Sequence, residues 1–377
     1  MKPLAHRKPR LWLPALALAT LTACSSSPDK ARPADLPPAA AILGTQLVWS
    51  AQVGGGPAQV APRGVGDRVF VAGSGNTVVA LDAQSGKEQW RLALGAPVTA
   101  GIGSDGDTVA VVTQNNELVA MAAGQTLWRV RLGASVQTAP LVAGQRVFVL
   151  AADRSVSAFD GQTGRRLWTQ SRTGEPLVLS QPGALLAVGD TLVAGLGGRL
   201  VGLNPLNGSV RWDAPIATAR GTNEVERLVD VVGPVSRVGN SVCARAYASA
   251  VGCIDAATGR VVWTKPAQGS LGLGGDDRLV FGAETDGRVL AWQRSTGESA
   301  WNIERLKHRN LTAPVALGRV VAVGDGSGLV HLVSREDGSE MARLGTDGSA
   351  IVGAPLLVGP SLVVQTRNGG VFAWRPQ

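Results

Sequence analysis

The sequence predicts an all-β chain folded as an eight-bladed β-propeller of four-stranded antiparallel blades, on three observations. Trp49, Trp90, Trp128, Trp168, Trp212, Trp263 and Trp301 recur at intervals of 41, 38, 40, 44, 51 and 38 residues. Each of the last six follows a glycine by four positions, at Gly86, Gly124, Gly164, Gly208, Gly259 and Gly297. Finally, two partial copies at the chain ends complement each other. A period of about 40 residues is that of a repeated sheet too small to bury its own faces, which must stack on its neighbours around an axis.

Within one period, "APVTAGI", "DTVAVVTQ", "NELVAMA" and "TLWRVRL" read as four strands. The hairpin between the second and third is marked by "QNN", and elsewhere by "ADR" at 152–154 and "TDG" at 285–287, where Asn, Asp and Gly tolerate positive φ. Between the third and fourth sits a D-x-x-[ST]-G corner, in which Asp82, Asp160 and Asp255 can accept backbone hydrogen bonds while the glycine turns left-handed. Complete copies run from about 57 to 345. The eighth is split, with "APLLVGPSLVVQTRNGGVFAW" at 354–374 supplying three strands and "QLVWSAQV" at 46–53 the fourth. Trp49 is thereby placed beside the strand of Trp374, and the ring closes without a free edge. In "HLVSREDGSEMA" the glycine, Gly338, is kept but Ala342 stands where the tryptophan belongs, so that junction must fill its space differently.

Residues 1–23 read as an export signal, with Lys2, Arg7, Lys8 and Arg10 ahead of an apolar run from Leu11 to Thr20. The signal ends in Leu21-Thr22-Ala23-Cys24, which resembles the lipobox of bacterial lipoproteins and marks Cys24 for acylation. The alternative is an ordinary cleaved signal. Ser25 after the cysteine resembles the signal for outer-membrane sorting. The stretch "SSSPDKARPADLPPAA" makes 24–45 a flexible tether, ahead of the propeller at 46–377. Loss of the signal lowers the formal charge from +8 to +4, which removes the main argument for nucleic-acid binding. The densest remaining basic cluster, "ERLKHRN" at 304–310, reads as a solvated loop.

The corner pattern A-x-D-x-x-[ST]-G-x-x-x-W resembles the tryptophan-docking repeat of the eight-bladed quinoprotein-like propellers. One branch comprises quinone-dependent dehydrogenases. The other is the BamB family, the lipoprotein subunit of the β-barrel assembly machinery, which the repeat count, lipobox, length and "TNEVERLVD" resemble over nearly all of 24–377. The dehydrogenases need a metal-bound quinone over a catalytic carboxylate, often with adjacent cysteines, in a longer chain. Here no two cysteines are neighbours, and His308 and His331 are the histidines beyond the signal. H-E-x-x-H, G-x-S-x-G and P-loop motifs are absent. Asp105, Asp107, Asp276, Asp277 and Asp325 read as solvated turn residues. The expectation is a monomeric, non-enzymatic scaffold with no catalytic residue, metal or cofactor; the alternative is a periplasmic quinone-dependent dehydrogenase or a degenerate relative.

"SVCARAYASAVGCID" reads as a hairpin centred on Ala248, which sets Cys243 opposite Cys253. A disulfide or two buried thiols would both suit that placement.

The two longest tryptophan intervals are consecutive. Their extra residues, "RTGEPLVLSQPG" at 172–183 and "ATARGTNEVERLVDVV" at 217–232, follow equivalent strands and must emerge on one face. Leu177, Val178 and Leu179 stand where turns are ordinarily polar, which marks either an interaction patch or a cap on the core. Glu224, Glu226, Arg227 and Asp230 supply charge beside them. In the BamB family this region contacts the POTRA domains of BamA. By that resemblance Leu177 and Leu179 take the places of two contact leucines and Asp230 that of the first contact aspartate. Ser180 stands where arginine is typical and Val232 where a second aspartate would be. Unfolded outer-membrane proteins are further candidate partners.

Overall fold

The computed structural model describes residues 31–40, 42–54, 60–73, 75–172, 177–219, 221–223 and 227–377. Pro33–Gln377 forms one compact unit. Within it, the described residues build eight four-stranded antiparallel sheets, each made of consecutive strands except the last. Blade 3 is representative, with Leu141–Ala143 innermost, then Arg146–Leu150, Val156–Asp160 and Arg166–Gln170. Blade 8 consists of Ile351–Val358, Ser361–Thr366, Gly370–Pro376 and the N-terminal strand Thr45–Gln52, whose register runs from Thr45↔Pro376 to Gln52↔Gly370. Trp49 lies opposite Ala373, one position from Trp374, as the split repeat requires. In blade 2 the expected inner strand "APVTAGI" is not formed as such: the strand is Gly103–Ser104, and Val98 makes only a bridge to Thr113.

The two middle strands of each blade are sandwiched by neighbouring blades, which explains their β-branched composition. In blade 1, Val69, Phe70, Val71, Val78, Val79 and Ala80 are all fully buried. The core is accordingly a series of clusters between blades rather than one centre.

The tryptophans fasten each blade to the next. A Cβ placed on Gly86 would lie 2.5 Å from Trp49 Cε3, and on Gly164 2.6 Å from Trp128 Cδ2, so the glycine is the seat of the preceding blade's indole. Each seat also has positive φ, as at Gly86 (70°). The indole N–H then donates to the carbonyl that opens the same corner, as from Trp49 to Ala83 O (3.0 Å), Trp128 to Gly161 O (2.8 Å) and Trp263 to Arg294 O (2.7 Å). The corner aspartates accept as expected: Asp82 Oδ1 takes Ser85 N at 2.8 Å and Asp160 Oδ1 takes Thr163 N at 2.9 Å. A small residue lies across from most of these indoles, as in Ala80↔Trp90, Ala158↔Trp168 and Gly202↔Trp212. Blade 7 reverses the sizes, pairing Leu332 with Ala342.

Because strands alternate in direction, hairpins between second and third strands share one end of the ring with the linkers between blades. This is the linker face; the corners lie on the other. Cys243 and Cys253 are register partners in blade 5 and are joined by a disulfide, with Cα atoms 4.0 Å apart.

Three expectations fail around blade 7. The segment 33–44, expected to be part of a flexible tether, is tied to the propeller by backbone hydrogen bonds from Ala34 to Lys307 and from Ile42 and Leu43 to Met341. The basic stretch 304–310 is not simply solvated, since Leu306 and Arg309 are buried. Asp325, expected as a solvated turn residue, is fully buried against Arg309 and His331. Asp276 is also partly enclosed, with Arg335 Nη1 at 3.2 Å, whereas Asp105, Asp107 and Asp277 are exposed. Spacing gave no sign of these burials because the partners, 6 and 16 residues from Asp325 and 59 from Asp276, follow no repeated interval.

Candidate partner-binding surface

The linkers out of blades 3 and 4 meet on the linker face, and each is anchored where it leaves the sheet. Arg172 Nη2 donates to Asp213 Oδ2 of blade 4 at 2.6 Å, while Arg199 Nε engages the other oxygen. Burial pulls the Asp213 carboxyl upward, but the hydrogen bonds from Arg199 and Arg172 outweigh it and hold the group below the ordinary carboxylate range. At the far end Gly183 N donates to Thr138 Oγ1 (2.8 Å) and Gly233 N to Pro182 O (2.9 Å).

Asp230 joins the two linkers. Its Oδ2 accepts from Leu179 N at 2.9 Å, its Oδ1 from Arg154 Nη2 at 3.3 Å, and its carbonyl from Tyr247 N at 2.9 Å. Arg154 Nη2 also donates to Leu177 O at 3.2 Å. Arg154 occupies the "ADR" hairpin with φ of 62°, a left-handed backbone that aims its side chain across the linkers. Asp230 is thus an internal strut, its side chain only 15% exposed, rather than a charge held out to solvent. What the strut presents is Leu177, 37% exposed, with Ser180 exposed nearby. Leu179 is half-buried and lines two depressions, one shared with Leu150, Val178 and Asp230, the other with Ile216, Tyr247 and Lys265.

Val232 is buried in the first strand of blade 5 opposite Arg245, so the position of the second expected aspartate faces the core. The Arg227 backbone N–H donates to Asn223 O at 3.2 Å. Glu224 and Glu226 lie outside the described residues, as does Cys24. Arg154 and Tyr247 were not singled out from the sequence, although a bulky cation in a positive-φ hairpin is a signal that could have pointed to the first. The arrangement offers an apolar spot on a braced base, and no group of three or more His, Cys, Asp or Glu suited to a metal occurs among the described residues.

A family model described as "Outer membrane protein assembly factor BamB" matches residues 43–95 and 74–303. The outer membrane protein assembly factor BamB of Burkholderia pseudomallei (strain K96243) is 40% identical over 368 residues, covering 96% of this chain and 97% of that one. The crystal structure of BamB from Moraxella catarrhalis superposes with a TM-score of 0.80 at 25% identity, over 88% of this chain and 100% of that one. The quinohemoprotein alcohol dehydrogenase from Comamonas testosteroni shares the fold alone, with a TM-score of 0.68 at 14% identity over 88% of this chain and 76% of its own. The chain belongs to the BamB family of outer membrane protein assembly factors.

Proposed function

We propose that this assembly factor works without catalysis, as a scaffold lipoprotein held by acylated Cys24 in the outer membrane, facing the periplasm and docking on the POTRA domains of BamA. The observation that carries the reading is Leu177, an exposed apolar side chain on a linker pinned through Arg154 and Asp230. A braced apolar centre with a charged rim is the form in which few residues carry most of a binding energy, because little ordering is left to be lost on association. Leu179 extends the centre, and Arg227 and the Arg154–Asp230 pair supply the rim and its support. Unfolded outer-membrane proteins are further candidate ligands of the same face.

The non-enzymatic part of the proposal is supported by the donor set. A metal-bound quinone needs converging carboxylate and amide donors and, in many dehydrogenases, a vicinal disulfide. Here Cys243 and Cys253 sit on neighbouring strands and are buried within blade 5. That buried cross-strand pair is unlike the vicinal pair of those enzymes.

Co-purification with BamA from membranes tests the docking. Leu177→Asp should abolish it, while Leu206→Asp, at a still more exposed leucine in a corner on the other face, should not. Unchanged recovery with Leu177→Asp would refute the surface. Labelling with radioactive palmitate, lost in Cys24→Ala, tests the anchor.

A further inference from the structure

We propose that blade 7 carries a peptide-binding site that reads extended main chain, and that residues 34–43 of this chain are its ligand, held in cis. One blade junction lacks the lock that the others share. At the other blade junctions an indole of one blade seats on the corner glycine of the next, as Trp301 does on Gly338. Between blades 7 and 8 neither half exists: Ala342 replaces the indole, and the corner of blade 8 is replaced by the two chain ends, where Gln377 N donates to Gly44 O at 3.0 Å. Leu332, opposite Ala342, fills part of the volume from within the sheet.

The rest is filled by the segment leading into the closing strand. Leu36 packs on the core between blades 6 and 7, with Trp301 and Leu306. Leu43 packs on the core between blades 7 and 8, with Ala342 and Trp374. Between these seats the segment is held by its backbone. Arg309 Nη1 donates to Ala34 O at 2.9 Å and Arg343 Nη1 to Pro37 O at 3.2 Å. Ala34 N donates to Lys307 O at 3.0 Å, and Ile42 N and Leu43 N to Met341 O at 2.9 and 3.1 Å.

Both arginines are built into the site. Arg309 is 9% exposed and its Nε donates to Asp325 Oδ2 at 2.8 Å, with Ser327 N and Leu329 N on the other carboxylate oxygen. Arg343 is paired with Glu340 at 2.7 Å, and both side chains are nearly enclosed. A buried guanidinium neutralised by one carboxylate and left with a donor for a carbonyl is a fixed reader of peptide oxygen, the charge-assisted bond being stronger than a neutral one. The ligand class follows: an extended segment with apolar side chains spaced as Leu36 and Leu43 are, and no requirement at the residues between, where Asp35, Pro38 and Ala39 are exposed.

Hydrogen exchange on the full chain in detergent tests the cis ligand. The amides of Ala34, Ile42 and Leu43 should exchange at least about tenfold more slowly than in free peptide, and Arg309→Ala with Arg343→Ala should return them to the free rate while blade 3 stays protected. Free-peptide rates in the unaltered chain would overturn the proposal. A second arm stands even if that variant fails to fold. In a full chain whose residues 33–43 are replaced by a Gly/Ser linker of equal length, a fluorescent peptide of residues 31–44 should bind saturably. The same peptide with Leu36→Asp and Leu43→Asp should bind at least tenfold more weakly. Absence of saturable binding, or equal binding of both peptides, would overturn it.

Discussion

Asp325→Asn is the most informative single change, because it alters one atom in a fully buried group. The carboxylate has Arg309 Nε at 2.8 Å and His331 Nε2 at 3.0 Å on one oxygen, and Ser327 N and Leu329 N on the other. An asparagine can still accept from the two backbone amides, but its NH₂ would face the guanidinium. Leaving Arg309 buried without its counter-charge should cost about 3 to 5 kcal/mol at neutral pH. Burial by itself would raise this carboxyl, yet the hydrogen bonds from His331, Leu329, Arg309 and Ser327 prevail and bring it down from 3.8 to about 2. A lowered folded-state pKa stabilises above the unfolded value and loses that contribution as pH falls through the folded one. The window is therefore between pH 4 and pH 2, and the shift corresponds to about 2 kcal/mol. Urea denaturation of both proteins along a pH series measures this. The gap between them should be widest above pH 5 and narrow by about 2 kcal/mol on reaching pH 2. A gap under about 1 kcal/mol at pH 7, or one that does not change with acid, would refute the ion-pair argument.

Gly86→Ala should destabilise by more than about 2 kcal/mol, since its Cβ would strike Trp49 at 2.5 Å as well as strain a left-handed backbone. Gly66→Ala, with φ of 59° and open space, should cost only about 1 kcal/mol in the same calorimetric comparison. Arg154→Ala should remove two hydrogen bonds that hold the Leu177 linker, lowering stability by about 1 to 2 kcal/mol and reducing BamA recovery without touching Leu177 itself. Mass spectrometry of the unfolded protein should show Cys243 and Cys253 alkylated only after reduction, and reduction should lower the free energy of unfolding by about 2 to 3 kcal/mol for a loop of this length.

The architecture was legible because a propeller repeats its own grammar: an indole and a left-handed glycine recurring in most blades give count, period and closure. Their mutual contact was less visible, since Gly86 seats Trp49 and not its own Trp90, a relation between neighbouring repeats rather than within one. The linkers 172–183 and 217–232 were legible as departures from the period. Asp230 was read as a contact charge because spacing carries no information on direction, and only the fold shows it turned inward to Leu179 and Arg154. The failures at blade 7 have one cause. Arg309, Asp325 and residues 34–43 look polar or loose singly, and pack together only once the fold sets Arg309 against both Asp325, 16 residues on, and Ala34, 275 residues back.

The segment 34–43 also determines how a pull on the protein is received. Thr45–Gln52 closes the ring, and a strand drawn from its Thr45 end would open like a zipper, one rung at a time. With the anchor proposed at Cys24, tension would reach Ala34 first, where Arg309 and then Arg343 grip the backbone before any force arrives at Thr45. The load enters blade 7 across several contacts at once, in the manner of a cable clamped ahead of its plug. A propeller tethered as proposed would keep its seam shut under such a pull.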